Sequence, residues 1–276
     1  MTAILDEGVT FVIGKRLNRW EVGDMPLTFA HPAAILPFSR QSKYIHFSAL
    51  VLGSMAPDFE YFLRGRPVGE IGHSFTGFFT FNLPLVILLY LIYRACIQQH
   101  LINHLPICLQ DTANQRTSKS KLFNVMVFSY SALFGMLTHV VWDSFTHKNG
   151  FMVTHVSILA EIMPLFGLQI PLYKYLQHGS TLVGITLMIC YVSYRAANQP
   201  KKFLPSIQPK QKLIFWLQVL GLAFFYVCIW CLINEVSLRS YGVWVVRFID
   251  SSFLSLLTIC LLHTPRHNNI KVKGLP

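Results

Sequence analysis

In 276 residues the chain is 53% hydrophobic and 14% aromatic but only 13% charged, against roughly a quarter charged in ordinary soluble domains, so composition excludes a water-soluble fold. The formal charge of +11 does not indicate nucleic acid, because the Lys and Arg residues sit between apolar runs instead of gathering on one polar face; basic loops beside lipid account for them. Cys190, Cys228, Cys231 and Cys260 lie inside apolar stretches and Cys96 ends one, which excludes a secreted disulfide framework and makes the CxxC of Cys228 and Cys231 a pair of buried thiols.

In chain order, residues 1–24 hold Asp6 and Glu7 ahead of a short apolar patch at 9–13 and lack a small-residue cleavage site, so they do not read as a cleaved signal peptide. Segments 29–38 and 44–56 are apolar but too short to cross a bilayer alone. They suit a helical hairpin that dips part way or lies buried among other helices. Runs at 76–96, 122–143, 179–195, 212–233 and 242–263 each approach the ~20 residues needed to cross about 30 Å of hydrocarbon. A further run at 151–166 carries His155 and Glu161 and reads as a re-entrant or interfacial helix. The fold class is therefore all-α: a polytopic membrane bundle of about five full spans, a short N-terminal helical hairpin and one interfacial or re-entrant helix. Residues 25–276 form a single integral membrane domain.

Orientation follows from basic residues. Arg94, Arg116, Lys119 and Lys121 follow the first span, Arg195, Lys201, Lys202, Lys210 and Lys212 separate the third from the fourth, and Arg266, Lys271 and Lys273 form the tail; these segments read as cytoplasmic. Trp142, Tyr173, Tyr175, Trp230, Tyr241 and Trp244 then supply an aromatic belt at the outer interface, and Tyr93, Tyr194 and Trp216 one at the inner.

On this topology the polar residues converge. His73 precedes the first span, His139 and Asp143 end the second, His147 follows, and His178 precedes the third. With Arg40 and Lys43 at the inner turn of the hairpin, His31 at its start and Asp58 and Glu60 at its exit join the same outer layer. His139, Asp143 and His147 are spaced i, i+4, i+8, one stripe on a helix. Imidazole nitrogen and carboxylate oxygen suit a divalent zinc, manganese or iron ion with a position left open for water. His31, Asp58, His73, His139 and Asp143 are the candidate metal ligands, with His147 and His178 as possible additions and Glu60 as a spare carboxylate able to act as base. Solvated, hydrogen-bonded interfacial histidines are the alternative. His46, His100, His104, His263 and His267 fall at the cytoplasmic side and read as surface residues. Arg247 and Asp250, i and i+3 on the last span, read either as an intramembrane ion pair or, with Glu235, as an ion relay.

The segments MPLTFAHPAAILP (25–37), ALVLGSMAPDFEYFL (49–63), GHSFTG (72–77), LTHVVWDSFTHKNG (137–150) and LQHGSTLVG (176–184) resemble, in order, those of a bacterial membrane-protein family known as domain of unknown function 4184. Through it the chain is distantly similar to a group of inner-membrane proteins described as metal-dependent hydrolases. Carried over, that group's early His, Pro-Asp motif, His before a span and later His-x3-Asp are His31, Asp58, His73, His139 and Asp143; PDFE lacks the group's second Asp, and His73 lacks a paired His. The resemblance begins at Met25. Initiation there makes residues 1–24 a mispredicted extension; the alternative is a basic arm around Lys15, Arg16 and Arg19. The expectation is a multi-pass protein of the bacterial inner membrane that acts as a metal-dependent hydrolase on a lipid or lipid-linked substrate. A transporter or channel built on Arg247, Asp250 and Glu235, or a structural membrane protein, is the alternative.

Overall fold

The structure, a computed structural model, describes residues 28–106, 109–110, 120–165, 167–198, 207–238 and 240–264. The extension at 1–24, the start at Met25, His267 and the basic residues Arg116, Lys119, Lys201, Lys202, Arg266, Lys271 and Lys273 lie outside them. Five helices are long and apolar enough to cross a membrane: α3 (Phe75–His104), α4 (Lys121–Thr146), α7 (Leu172–Asn198), α8 (Pro209–Ile233) and α9 (Tyr241–His263). Before them come a 3-10 helix at Thr28–Ile35, α1 (Phe47–Gly53), a 3-10 turn at Ala56–Asp58 and α2 (Phe59–Arg64). Each expected span is present.

Helix ends follow local chemistry. Ser74 accepts the Gly77 N–H at the start of α3, Ser120 accepts the Phe123 N–H at the start of α4, and Gln208 with Gln211 boxes the first turn of α8, where Pro209 needs no amide partner. Pro84, which has no N–H to donate, falls just after a π turn at Phe78–Asn82 in α3.

The segment expected as one interfacial helix resolves differently, into α5 (Phe151–His155), α6 (Ser157–Ala160) and an antiparallel pair, β1 (Ile162–Leu165) with β2 (Leu168–Pro171). Pro164 and Pro171 interrupt helix, and Gly167 supplies the positive φ of 74° that the turn requires.

The N-terminal hairpin is buried among the spans. Its turn meets the start of α4, where Tyr44 packs edge-on to Phe123 and its carbonyl accepts the Tyr130 hydroxyl; its two ends meet His139 and Asp143 near the other end of α4. Roughly 24 Å of helix separates Phe123 from His139 at 1.5 Å per residue, so the hairpin reaches through most of the bundle. Such depth is tolerated because protein surrounds it: Ala30, Ile35, Ala49 and Leu50 are all at most 1% exposed. Small residues allow the closest contact. A Cβ on Gly53 would lie 2.1 Å from the Ala132 carbonyl oxygen, and one on Gly135 would lie 2.4 Å from that of Leu50, the small-residue packing by which membrane helices bring backbones together. One apolar core joins α1, α2, α3 and α4 through Ala49, Phe59, Val86, Ala132 and Met136; a second joins α3, α8 and α9 through Ile97, Phe215, Val219 and Ile259. Leu91, Leu137, Val141, Leu182 and Leu220 are exposed, as lipid-facing positions are.

Two histidines expected at the surface belong instead to the packing. His104 is buried and stacks on Phe215 with ring centroids 4.0 Å apart, because α3 runs beyond its apolar stretch and carries this residue beneath α8. His46 caps α1: its Nδ1 accepts the Ala49 N–H at 3.2 Å, its own N–H donates to Ser131 Oγ at 3.0 Å, and Tyr90 and Phe128 box its ring.

Gly135→Val should drive a side chain into the α1 backbone and destabilise the protein by about 3 kcal/mol, the upper end of overpacking effects, read as a lower melting temperature in detergent. For His46, burial chiefly, with Arg94 adding, outweighs the raising effect of its backbone hydrogen bond and brings its pKa down to about 4. The unfolded chain takes up this proton near pH 6.5 while the folded one resists it, so stability is full above that pH and falls as pH drops toward 4. The melting temperature of the wild type should therefore fall more steeply from pH 7 to pH 4 than that of His46→Asn, which retains a capping oxygen; parallel curves would contradict this.

Candidate metal centre

The side chains that converge come from four separate segments. The Thr28–Ile35 helix brings His31, the turn after α1 brings Asp58, the loop before α3 brings His73, and α4 brings His139 and Asp143. Ligand atoms of Asp58, His73, His139 and Asp143 all lie within 4.8 Å of one another. His139 Nε2 is 3.1 Å from Asp143 Oδ2 and 3.5 Å from Asp58 Oδ1; His73 Nε2 is 3.5 Å from Asp143 Oδ2 and 3.6 Å from Asp58 Oδ1. A tetrahedral ion with bonds of about 2.1 Å has ligand-to-ligand edges of about 3.4 Å. The four separations match that figure to a few tenths of an ångström.

Hydrogen bonds on the outside of the group fix which atoms point inward. His139 Nδ1 donates to the Ser54 carbonyl at 2.8 Å, and His31 Nδ1 donates to the Thr28 carbonyl at 3.1 Å. A carbonyl only accepts, so in each neutral ring Nε2 carries the lone pair. His139 Nε2 is buried without a hydrogen-bond partner among the described residues. His31 Nε2 lies 3.0 Å from Asp143 Oδ1. Lone pairs aimed at carboxylate oxygens repel unless a cation lies between them. Protonating both rings is a poor remedy: they stack at 4.0 Å between centroids, and two positive charges that close repel by on the order of 4 kcal/mol at an effective dielectric of about 20. The donor set thus fits a divalent ion.

Asp58 has its other oxygen occupied by the Thr28 hydroxyl, which donates to Oδ2 at 2.6 Å. With Oδ2 held in this way, Oδ1 is the oxygen left to face His73 and His139. His31 and His139 are fully enclosed, whereas His73 is 30% exposed, so the centre opens on the His73 side. There Tyr61 stacks on His73 at 6.0 Å, its phenol pushed up by burial and by Asp58, Asp143 and Glu60, and so neutral.

Glu60, expected as a spare base, has another task. Its Oε2 accepts the N–H groups of Glu70, Ile71 and Gly72 at 2.8–3.0 Å, and its Oε1 accepts from Arg64. Burial pushes this carboxyl up, and those bonds outweigh it and bring it below its ordinary value. With both oxygens engaged, Glu60 clamps the loop that carries His73. Asn82 closes the clamp from α3, donating to the Gly72 carbonyl at 2.6 Å.

His147 joins the edge of the group: α4 ends at Thr146, yet His147 Nδ1 lies 3.3 Å from Asp143 Oδ1. His178, His155 and Glu161 are exposed and outside it. Arg247 and Asp250 do not form the expected ion pair among the described residues. Arg247 Nη1 donates to the carbonyls of Trp230 and Asn234 at the end of α8 and lies over the Trp230 ring, because the terminal carbonyls and negative dipole end of α8 compete for the guanidinium. Glu235 is exposed. Thr28, Ser54 and Tyr61 carried no signal in the sequence; Ser54 contributes only a backbone carbonyl, which every residue has.

With the site in view, its family can be stated. The model described as Domain of unknown function (DUF4184) matches residues 25–261. The chain belongs to that family. No curated protein and no solved structure matches it. The family and the five apolar helices make it a multi-pass membrane protein, and all the segments that build the centre fall within the matched range.

The Thr28 hydroxyl holds Asp58 while its backbone carbonyl orients His31, so Thr28→Val, which removes only the hydroxyl, should weaken divalent-metal affinity by about 10- to 100-fold, the usual effect of losing an outer hydrogen-bond partner. Titration of metal-depleted protein with zinc, followed by calorimetry, measures this.

Proposed function

We propose that this protein is a metal-dependent hydrolase of the bacterial inner membrane, acting at the outer interface on an ester of a lipid or lipid-linked molecule. The reading rests on one observation above the others: four ligating atoms within 4.8 Å of one another, among them a buried imidazole nitrogen, His139 Nε2, that has no hydrogen-bond partner among the described residues. An ion bound there supplies Lewis acidity, which polarises a phosphoryl or acyl oxygen and makes water nucleophilic near neutral pH. Zinc, manganese and iron all accept this mixture of imidazole and carboxylate.

The chain's own groups do the rest. His139 keeps its Nδ1 proton on the Ser54 carbonyl and so presents Nε2 inward; Asp58 and Asp143 supply negative charge; the Glu60 clamp sets the position of His73 on the accessible side, where a substrate enters past Tyr61. Placement at the outer face follows from the basic residues Arg94, Lys121, Arg195, Lys210 and Lys212 at the other ends of these helices. A lipid-borne substrate is favoured by the apolar residues that surround the same end of the bundle, with Phe145, Phe151, Ile162 and Leu165 all exposed.

Detergent-purified wild-type protein should carry a divalent metal that survives dialysis against a weak chelator, and His139→Ala and Asp143→Asn should each lose it, by elemental analysis. The wild type alone should then release phosphate or fatty acid from lipid substrates in vesicles. Unchanged metal content in both variants would sink the proposal.

A further inference from the structure

Asp143 divides four imidazole nitrogens between its two oxygens. Its Oδ2 faces His139 Nε2 at 3.1 Å and His73 Nε2 at 3.5 Å, and these belong to the centre described above. Its Oδ1 faces a different pair, His31 Nε2 at 3.0 Å and His147 Nδ1 at 3.3 Å. These two distances each match one edge of a metal polyhedron. The two oxygens of one carboxylate can each take an ion, and ions bridged in this way sit about 3.5–4 Å apart, as in two-metal phosphatases and nucleases.

We infer that the chain holds a second divalent ion, bound by His31 Nε2, His147 Nδ1 and Asp143 Oδ1, with Asp143 bridging it to the first; this rests on the single-ion reading of the first position. Three features support it. The Thr28 carbonyl fixes His31 so that the nitrogen facing Asp143 is the one free to ligate. His147 sits where α4 ends, its backbone extended at φ −115° and ψ 144°, yet its ring turns back toward Asp143. The i, i+4, i+8 spacing of His139, Asp143 and His147 sets the bridging carboxylate between one ligand of each ion. His147 is also 35% exposed, so the second position is the more accessible and its ion the more readily exchanged.

Substrate class follows from charge. Two dications outweigh the two carboxylates, Asp58 and Asp143, and the excess calls for an anionic ligand. A phosphate ester supplies one and a neutral carboxylic ester does not, so the pair favours a phospholipid or lipid-linked phosphate.

The test is to deplete the full-length protein of metal in detergent, reconstitute it with manganese alone, and record manganese per chain together with the low-temperature electron paramagnetic resonance spectrum, for the wild type and His147→Ala. Because His147 lies at a helix end and is partly exposed, its loss should leave the melting temperature of the metal-free protein unchanged. The expected result is two ions per chain with an exchange-coupled spectrum in the wild type, and one ion with an uncoupled six-line spectrum in the variant. One uncoupled ion per chain in both proteins overturns the second site and leaves the first intact. Two ions in both overturns the assignment to His147. No bound manganese in either overturns the first site as well.

Discussion

Between Gly53 and Gly135 the backbones of α1 and α4 approach so closely that neither position has room for a Cβ, and the candidate metal centre depends on that approach. It brings the end of α1 against the middle of α4, where the Ser54 carbonyl meets His139 Nδ1. A helix end leaves carbonyls without partners inside the helix; here one of them selects the tautomer of His139, a candidate ligand. A larger residue at either glycine would push the helices apart and remove the partner that orients the ring.

The second constraint is charge. Asp58 and Asp143 are carboxylates withdrawn from water at the end of an apolar bundle, a placement that is unfavourable unless positive charge and hydrogen bonds compensate. Around them the protein arranges imidazoles and one hydroxyl, with no Lys or Arg paired to them among the described residues. Arg64 is near in sequence but serves Glu60, which in turn holds three amides of the loop leading to His73. The arginine charge is thus spent outside the centre, and the site is left to be neutralised by something that imidazoles can bind.

Elsewhere in the bundle the same competition for backbone groups decides which polar contacts form. Arg247 turns to the carbonyls at the end of α8 and not to Asp250, and Trp216 and Lys212 donate to the carbonyls of His104 and Leu105 at the end of α3. Helix ends buried against other helices need such donors. Arg247, which reads as half of an ion pair or relay, is a helix-end partner.

The sequence alone determined the number and positions of the spans, because about 30 Å of hydrocarbon demands a fixed length of apolar residues whatever their packing. It also placed His31, Asp58, His73, His139 and Asp143 in one layer, since each sits at the end of an apolar run and those ends share a depth. Only the tertiary structure decided which atoms face each other: that Glu60 two residues from Asp58 holds a loop, that His147 reaches Asp143 beyond the end of α4 while His178 is exposed outside the group, and that Ile162–Leu165 pairs with Leu168–Pro171. Depth is a property of each segment and is written in its composition. Rotation about the helix axis, the register of a backbone contact and the partner a carbonyl finds are relations between segments, and these are set by close packing between residues far apart in the chain.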